Sequence, residues 1–384
     1  MKSIIFIHQS ADLYGSDKVL FNLADRLRSY GYCLVVILPY LGPLASKLTA
    51  AGIDTLIHPV GKVSRATLSF MGLLTLALDL WKLYRFSDEL RQRYHFDLVY
   101  SNTIATVGGA LLARIWKIPH VWHVHEIIHK PMAASRLFPR LVCWCSDMVI
   151  SNSQETARWL ETVMPSLKVK NVVVWNGIDN ISSISSTPYP FRKMWGMGDE
   201  DIVIALVGRI NRWKGHWLLL DAIEQLNRNS RYSIKLVFVG DPPIDQQEIG
   251  QELRYKVATS TFCDRVVFQS FVDDIHSLWL SVDIAAVPSL EPEPFGLVAI
   301  EAMRAGKPVI GAAHGGLLEI IVDGKTGLLF PPGDVDALAR AVLALVESPS
   351  LRANFGRAGR ERQQHLFSLD AQVKKTIKCL ETLE

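Results

Sequence analysis

The chain has 384 residues, of which 49% are hydrophobic and 21% are charged, and its formal net charge is +3. This composition excludes a disordered chain, which would be poorer in apolar side chains, and the length fits two ordinary domains. The best candidate for a membrane span, residues 68–81, is shorter than the roughly 20 residues that a spanning helix needs, and it contains Asp79. We therefore expect a globular protein that does not cross a membrane.

Charge and cysteine content narrow the expected partners and compartment. Residues 1–180 have a charge balance of +6 and residues 181–384 a balance of −3. A basic half can face nucleic acid or an anionic membrane. We find no zinc finger, no aromatic RNA-binding signature and no run of Lys and Arg, so we expect no nucleic-acid partner. Five scattered cysteines without a repeated C-x-x-C pair argue against a disulfide framework and for a reducing cytoplasm.

Short β-branched runs alternate with helical patterns along the chain. Predicted strands occupy 4–8, 33–38, 98–100, 120–123, 148–151, 172–174, 202–207, 235–239, 266–268, 284–287, 308–311 and 327–330. Predicted helices include 18–30, 154–164, 216–227, 295–305 and 335–347. Apolar strands with helical crossovers are typical of doubly wound parallel sheets. A polar, aperiodic stretch at 180–188 has linker composition. We predict an α/β protein of two Rossmann-like domains, 1–185 and 186–365, with a cleft between them.

The first predicted strand-to-helix turn contains Gly15 and Ser16. A glycine at such a turn lets backbone N–H groups approach a phosphate, and the helix dipole favours negative charge there. A single glycine is not the G-x-G-x-x-G fingerprint, so a dinucleotide cofactor is not indicated. The alternative is that Gly15 only makes a turn.

The second half contains a more specific set of charged and backbone groups. Arg209 and Lys214 flank the turn between strand 202–207 and the next helix, where two cations could clamp a diphosphate or could simply be solvated. After strand 284–287, a proline-rich loop leads to a helix start whose N–H groups, at residues 295–297, would point at a bound anion. Glu293 and Glu301 are eight residues apart. If both were helical, Glu293 would lie at the mouth of the helix and Glu301 two turns deeper.

Glu293-Pro294-Phe295-Gly296 followed by Glu301 resembles the E-x7-E motif of glycosyltransferase family 4, the retaining GT-B enzymes. Further segments resemble family motifs in the family's order: 15–19, 123–126, 149–153, 175–179, 207–209 with 214–215, 239–241 and 315–319. The resemblance covers nearly the whole chain. It implies the GT-B fold, with two Rossmann-like domains facing across a cleft and a C-terminal helix, at about 366–384, that packs back on the N-terminal domain.

The resemblance also implies roles for individual residues. Arg209 and Lys214 would hold the donor diphosphate and neutralise the leaving group. Glu301 would bind the nucleotide ribose, Glu293 would orient hydroxyls of the transferred sugar, and His125 would lie beside the anomeric centre. The expected catalytic residues are thus His125, Glu293, Arg209 and Lys214. The expected donor-binding residues are Gly15, Ser16, Gly208, Arg209, Lys214, Gly240, Val272 (at the nucleobase), Glu293, Pro294, Phe295, Gly296, Leu297 and Glu301. Without the resemblance, a lone histidine such as His125 would be interpreted as a packed core residue.

The activity implied is hexosyl transfer with retention, from a GDP- or UDP-linked sugar to a hydroxyl acceptor. No cofactor is expected, and no metal, because Arg209 and Lys214 can supply the positive charge. Two alternatives stay open. One is a GT-B nucleotide-sugar epimerase or sugar synthase, and the other is a sugar-nucleotide-binding scaffold without turnover.

A stretch between residues 62 and 86 interleaves Trp, Tyr and Phe with Lys and Arg around an apolar run, a pattern that suits a bilayer interface. Together with the basic N-terminal half, it suggests a saccharide acceptor linked to lipid and peripheral contact with an anionic membrane. The expected location is the cytoplasm or the cytoplasmic face of the inner membrane, as in the synthesis of O-antigen, capsule or lipopolysaccharide. An ordinary amphipathic helix packed on a sheet, and a soluble acceptor, are the alternatives.

Overall fold

A computed structural model describes residues 2–179, 190–227 and 232–383. The chain divides into two compact units, which we call unit 1 (Met1–Asp179 with Leu369–Glu384) and unit 2 (Asn180–Ser368). The predicted linker at 180–188, and with it the predicted domain boundary at 185, lies outside the described residues.

The described strands, in chain order, are β1 (Ser3–Ile7), β2 (Cys33–Leu38), β3 (Asp54–Ile57), β4 (Leu98–Ser101), β5 (His120–Val124), β6 (Met148–Ser151), β7 (Asn171–Val173), β8 (Ile202–Val207), β9 (Ile234–Val239), β10 (Val266–Gln269), β11 (Ile284–Val287), β12 (Val309–Ala312) and β13 (Gly327–Phe330). The described α-helices are α1 (Gly15–Ser29), α2 (Pro43–Ala50), α3 (Phe70–Arg93), α4 (Gly108–Trp116), α5 (Met132–Cys145), α6 (Gln154–Val163), α7 (Pro190–Met194), α8 (His216–Asn227), α9 (Gln247–Ala258), α10 (Ile275–Leu280), α11 (Leu297–Arg304), α12 (Leu317–Ile320), α13 (Val335–Glu347), α14 (Pro349–Leu366) and α15 (Leu369–Glu381).

Unit 1 is built on a parallel sheet whose described strands follow the order β3-β2-β1-β4-β5-β6-β7. Alternate residues of a strand point to opposite faces, and β1 is apolar at nearly every position because both of its faces are covered. Ile4 and Phe6 pack with the core that includes α1 and α15, whereas Ile5 and Ile7 pack with the core that includes α3 and α4. The C-terminal helix α15 is therefore part of the core of unit 1.

Unit 2 repeats this design with the order β10-β9-β8-β11-β12-β13, again with parallel pairing throughout the described strands. Apolar side chains of α8 and α13, such as Leu219 and Val342, pack on the sheet beside Phe238. The two sheets confirm the predicted fold class of two doubly wound, Rossmann-like domains. Strand β3 was not predicted, since its residues Asp54–Ile57 are only half-buried at a sheet edge and lack a continuous apolar run.

Candidate functional site

Both sheets have a topological switch point, where neighbouring strands send their connections in opposite directions. In unit 1 the switch lies between β1 and β4, and in unit 2 between β8 and β11. Ligands of doubly wound sheets bind beyond the carboxyl ends of the strands at such points. Many predicted site residues follow strands at these ends, including Arg209 after β8 and Glu293 after β11.

Lys214 and Glu293 form the centre of the candidate site of unit 2. Nζ of Lys214 lies 2.6 Å from Oε1 of Glu293, and the two side chains keep 17% and 7% of their exposure. Ser289 Oγ donates to the same carboxylate oxygen at 2.5 Å. The Lys214 ammonium also lies 4.3 Å from the centroid of the Trp213 ring, within cation–π range. The structure thus brings together two predicted catalytic side chains from the β8 and β11 connections.

Two glycines allow the loops that carry this pair to approach each other. Gly215 has φ +81°, and a Cβ there would lie 1.9 Å from the carbonyl oxygen of Pro288. Gly315 has φ +60°, and its Cβ would lie 2.4 Å from the carbonyl oxygen of Glu293. Gly316 donates its N–H to that same oxygen at 2.7 Å. Any larger residue at 215 or 315 would have to push these loops apart.

The other predicted residues after β8 and β9 lie around Lys214. Arg209 is exposed in the loop directly after Gly208. A Cβ on Gly208 would lie 3.6 Å from Cε of Lys214, so the lysine side chain passes over this glycine. The amides of Gly208 and Gly240 donate to the carbonyls of Val239 and Gln269 at 2.9 and 2.8 Å. These two glycine N–H groups therefore continue the hydrogen bonding between neighbouring strands of the sheet.

Val272 is half-buried three residues beyond the end of β10, in the loop predicted to reach the nucleobase. The neighbouring Phe271 exposes 44% of its surface. Its amide donates to Asp241 Oδ2 at 3.0 Å, which ties this loop to the one after β9. The arrangement leaves an aromatic surface at the carboxyl edge of the sheet, beside Val272.

The predicted order of depth, with Glu301 deeper than Glu293, is wrong. Helix α11 begins at Leu297, after Gly296 at φ 116°, because Pro294 and this positive φ do not extend a helix backwards. Glu293 lies in the loop and is the more buried carboxylate, whereas Glu301, on the second turn of α11, is partly exposed. Phe295 is a buried side chain, and its ring packs edge-on against Phe367. At this helix start, Leu297 supplies one of the first amides, which lack partners within the helix.

In unit 1, His125 follows β5 and belongs to a buried chain of polar side chains. His125 Nε2 lies 3.3 Å from Asn102 Oδ1, and Asn102 Nδ2 lies 3.2 Å from His8 Nδ1. His8 Nε2 lies 2.7 Å from Asp17 Oδ1. The sequence analysis missed His8, Asn102 and Asp17. His8 and Asn102 directly follow β1 and β4, so the switch-point rule could have found them.

Burial dominates the electrostatics around His125. Desolvation, with smaller contributions from His123 and His8, holds the pKa of His125 well below its usual range. The pKa of His123, whose ring centroid is 3.9 Å from that of His125, is lowered by burial to about 3. Burial raises the pKa of Glu126 to about 7, although its Oε2 accepts N–H bonds from Ile104 and His125 at 3.2 Å. At neutral pH both rings are therefore neutral hydrogen-bonding groups.

Gly15 and Ser16 are the first two residues of α1, followed by Asp17. Asp17 Oδ2 accepts the amide of Tyr14 at 3.0 Å. A carboxylate is favourable at a helix N-terminus, and here it already occupies part of the turn in which a phosphate was expected. The predicted role of Gly15 and Ser16 in donor binding stays a prediction.

Among the described residues, no group of three or more His, Cys, Asp and Glu side chains is arranged to hold a metal ion. The sequence contains two Asp-x-Asp triplets, and in each an aspartate caps local backbone. Asp201 accepts the amide of Gly198 at 2.8 Å, and Asp334 accepts the amide of Ala337 at 2.8 Å at the start of α13. Throughout the described part of the chain, no helix combines the length and the apolar character that a membrane span requires.

Two family models match the chain, one over each unit. The model described as "Glycosyltransferase Family 4" matches residues 14–180, and the model described as "Glycosyl transferases group 1" matches residues 190–362.

Individual proteins agree with these matches. The D-inositol 3-phosphate glycosyltransferase of Kribbella flavida is 29% identical over 77% of this chain and 73% of its own. The lipopolysaccharide 1,2-N-acetylglucosaminetransferase of Salmonella typhimurium is 34% identical over 47% of each chain. The crystal structure of Anabaena HepE in complex with UDP and glucose superposes with a TM-score of 0.86 at 26% identity, covering 99% of this chain and 100% of that one. With two Rossmann-like units and both family models matched in order, this chain belongs to glycosyltransferase family 4 and has the GT-B fold.

Proposed function

We propose that this glycosyltransferase is a retaining hexosyltransferase that moves a sugar from a UDP- or GDP-linked donor to a hydroxyl acceptor. The observation that carries the proposal is the Lys214–Glu293 pair at the carboxyl ends of β8 and β11. It places a cation and a carboxylate where a doubly wound sheet binds its ligand. The complex of Anabaena HepE with UDP and glucose supports this donor class.

The proposed reaction needs positive charge at the leaving group. The bond between the anomeric carbon and the diphosphate oxygen breaks, the acceptor oxygen bonds on the same face, and its proton passes to the leaving phosphate. Arg209 and Lys214 neutralise the charge that develops on the diphosphate, which is a transition-state interaction. The Glu293 carboxylate has acceptor capacity for hydroxyls of the sugar besides its bond to Lys214. We assign His125 to the transferred sugar and Glu301 to the ribose, as the family resemblance implies.

A two-step experiment tests this function. UDP, GDP and their hexose derivatives are first screened by thermal shift, since a ligand that binds only the folded protein raises its midpoint. The donor that stabilises the protein is then incubated with candidate acceptors, and the anomeric configuration of the product is read by NMR. We expect the donor configuration to be retained and the rate to persist in excess EDTA. Inversion, loss of the rate in EDTA, or donor conversion without an acceptor would each contradict the corresponding part of the proposal.

We further propose that the acceptor is a saccharide linked to lipid, reached at an anionic bilayer through helix α3. Along the first turns of α3, Phe70, Leu74, Leu78 and Trp81 expose 75, 43, 56 and 57% of their surfaces. Their spacing of three or four residues places them on one side of the helix. The later turns bury Leu83 and other apolar side chains against unit 1. An ordinary packed helix describes the second half of α3, whereas the exposed stripe of the first half supports the bilayer contact.

Charge next to this apolar stripe favours an anionic lipid surface over a neutral partner. Lys82 and Arg85 are exposed beside the stripe, with the Arg85 guanidinium 5.9 Å from the Trp81 ring. A basic residue near an anionic leaflet contributes about 1 kcal/mol, and aromatic rings suit the headgroup level. Such a contact supports a role in assembling bacterial surface polysaccharide, such as O-antigen, capsule or lipopolysaccharide. The partial match to the Salmonella lipopolysaccharide enzyme points the same way.

Vesicle flotation tests the membrane contact. We expect the protein to float with vesicles containing phosphatidylglycerol, to stay behind with pure phosphatidylcholine, and to be released by salt. Leu78→Ser should weaken flotation. Leu318→Ser is the matched control, because Leu318 is similarly exposed, at 52%, but lies in unit 2. Equal flotation of the two variants would overturn the proposal, as would a change in oligomeric state by Leu78→Ser without a change in flotation.

The second candidate is a soluble acceptor, favoured by the similarity to D-inositol 3-phosphate glycosyltransferases. It predicts product formation from a water-soluble phosphorylated polyol in the absence of vesicles. Transfer to such an acceptor at a rate that vesicles do not change would replace the lipid-linked version.

A further inference from the structure

The buried chain Asp17–His8–Asn102–His125 has a direction that its chemistry dictates. An ionised carboxylate only accepts hydrogen bonds, so Asp17 Oδ1, 2.7 Å from His8 Nε2, places a proton on that nitrogen. In a neutral ring the other nitrogen, Nδ1, then carries the lone pair. Asn102 presents its Nδ2 amide to this lone pair at 3.2 Å.

The orientation of the Asn102 amide also determines which of its atoms faces His125. With Nδ2 of Asn102 donating to His8, its carbonyl oxygen Oδ1 faces His125 Nε2 at 3.3 Å and can only accept. We propose that Asp17, acting through His8 and Asn102, is a positioning residue that holds His125 in the tautomer protonated on Nε2, with Nδ1 as a hydrogen-bond acceptor. A ligand hydroxyl that reaches Nδ1 therefore meets an acceptor.

Packing makes this arrangement rigid. His8 and Asn102 have no solvent-exposed surface, Asp17 is 2% exposed and His125 8%. The backbone of His125 is fixed separately, because its carbonyl accepts from Asn152 Nδ2 and its amide donates to Glu126. The remaining ring beside it is His123, whose Nδ1 pairs with the Tyr100 hydroxyl at 2.9 Å. Each side chain of the series Asp17–His8–Asn102–His125 has a hydrogen-bond partner within it, and buried networks of this kind specify one geometry.

Helix capping by Asp17 alone would not account for this chain. Its Oδ2 accepts the amide of Tyr14, as a structural carboxylate at a helix start does, while Oδ1 is used by His8. Asp17→Asn separates the two roles: the amide oxygen can keep the bond to Tyr14, and the NH2 group then faces His8 as a donor. His8 would be free to reverse, and the whole chain with it.

The proposal assigns His125 a use in the proposed transfer reaction, but its primary test does not depend on that reaction. Protein labelled with ¹⁵N-histidine is examined by NMR experiments that connect ring nitrogens and carbons, with His125 assigned by its loss in His125→Gln. We expect Nε2 protonated and Nδ1 unprotonated at pH 7. A proton on Nδ1, which would follow if a doubly protonated His8 donated to a reversed Asn102, would overturn the proposal.

Variants then identify the residues that set the tautomer. Asp17→Asn should produce a mixture of tautomers at His125, whereas Asp12→Asn, in the same loop, should not. Asn102→Leu should have the same effect, and Asn102→Asp should restore Nε2 protonation because a carboxylate accepts as the amide oxygen does. If turnover is established, Asn102→Asp should recover more of kcat than Asn102→Leu. If the tautomer of His125 is unchanged in Asp17→Asn, Asp17 does not have the proposed role. The NMR result does not depend on the identity of the donor.

Discussion

The two switch points share one topology and contain opposite chemistry. In unit 1 the carboxyl ends of β1, β4 and β5 present almost fully buried polar groups, with the His125 ring joined to Asn102. In unit 2 the ends of β8 and β11 present a charged pair, Lys214 and Glu293, that keeps some solvent exposure. A diphosphate requires compensating charge, whereas sugar hydroxyls require oriented donors and acceptors. The difference suggests that unit 2 holds the charged part of a nucleotide sugar.

The buried polar side chains of unit 1 and the ion pair of unit 2 also differ in what maintains them. The unit 1 chain depends on mutual hydrogen bonding, so one substitution changes the direction of its neighbours. The unit 2 pair depends on close loop packing around Gly215 and Gly315. Substitutions in unit 2 should therefore alter charge or loop position, and each alteration can be measured separately.

Neutralising the buried carboxylate of unit 2 should have the largest effect. Glu293→Gln keeps the shape of the side chain but removes the charge that pairs with Lys214. We expect turnover to fall by about 10²–10³-fold, the size found when one preorganised polar group is lost from an active site. The measurement is kcat with the donor identified above, and nucleotide affinity should change far less. Glu291→Gln is the control, because Glu291 is exposed on the same loop. Equal rates for the two variants would remove Glu293 from the reaction.

The second largest effect is expected when the loop packing around Gly215 is disturbed. In Gly215→Ala the new Cβ meets the Pro288 carbonyl oxygen and φ is +81°, so we expect a loss of about 3 kcal/mol in the free energy of unfolding and weaker nucleotide binding. Gly324→Ala is the control, with a similar φ of +67° but open space around the Cβ. It should lose about 1 kcal/mol and bind nucleotide normally. Urea unfolding and calorimetric titration provide the two values. Similar losses for both variants would show that the close approach at 215 has no effect.

A third predicted effect concerns a buried histidine in unit 2, where unit 1 has several. Burial, helped by the nearby Lys214, lowers the pKa of His216 from 6.5 to about 3. Below pH 6.5 the unfolded chain takes up a proton that the folded protein excludes, so stability falls as pH decreases towards 3. Between pH 7 and pH 5 this group should account for about 2 kcal/mol.

Between pH 7 and pH 5, His216→Phe should lose about 2 kcal/mol less of its free energy of unfolding than the wild type does. Its ring can pack as the imidazole does beside Phe238, at 5.2 Å. Comparing the two pH values within each variant cancels any fixed packing cost. His95→Gln is the control, since the His95 side chain is 91% exposed. A slope with pH equal to that of the wild type would contradict the assignment to His216.

The sequence predicted the strands of the fold better than the arrangement of the candidate site. Continuous apolar runs such as β2 and β8 fixed their strands to within a residue, because both faces of a parallel sheet are buried. The half-exposed β3 gave no such pattern. In the site, Lys214 and Glu293 belong to spaced motifs and were found together.

Long-range packing decided what the sequence did not predict. Contacts with Lys214 and Ser289, rather than a position on a helix, bury Glu293 more deeply than Glu301. His8 and Asn102 are 94 residues apart and meet only because β1 pairs with β4. A local motif does not indicate that two such distant residues are in contact, whereas the strand order of the sheet does.

The central claim is that the charged loops at the carboxyl ends of β8 and β11 bind a nucleoside diphosphate. Calorimetric titration of UDP and GDP into the wild type, Lys214→Met and Lys256→Met tests it directly. Lys256 is a lysine of the same unit, ion-paired with Asp221 on the surface. We predict that one nucleotide binds the wild type and Lys256→Met alike, and that Lys214→Met binds it at least about tenfold more weakly, a difference of about 1.4 kcal/mol. Equal affinity for all three proteins, or no binding of either nucleotide to the wild type, would contradict the claim.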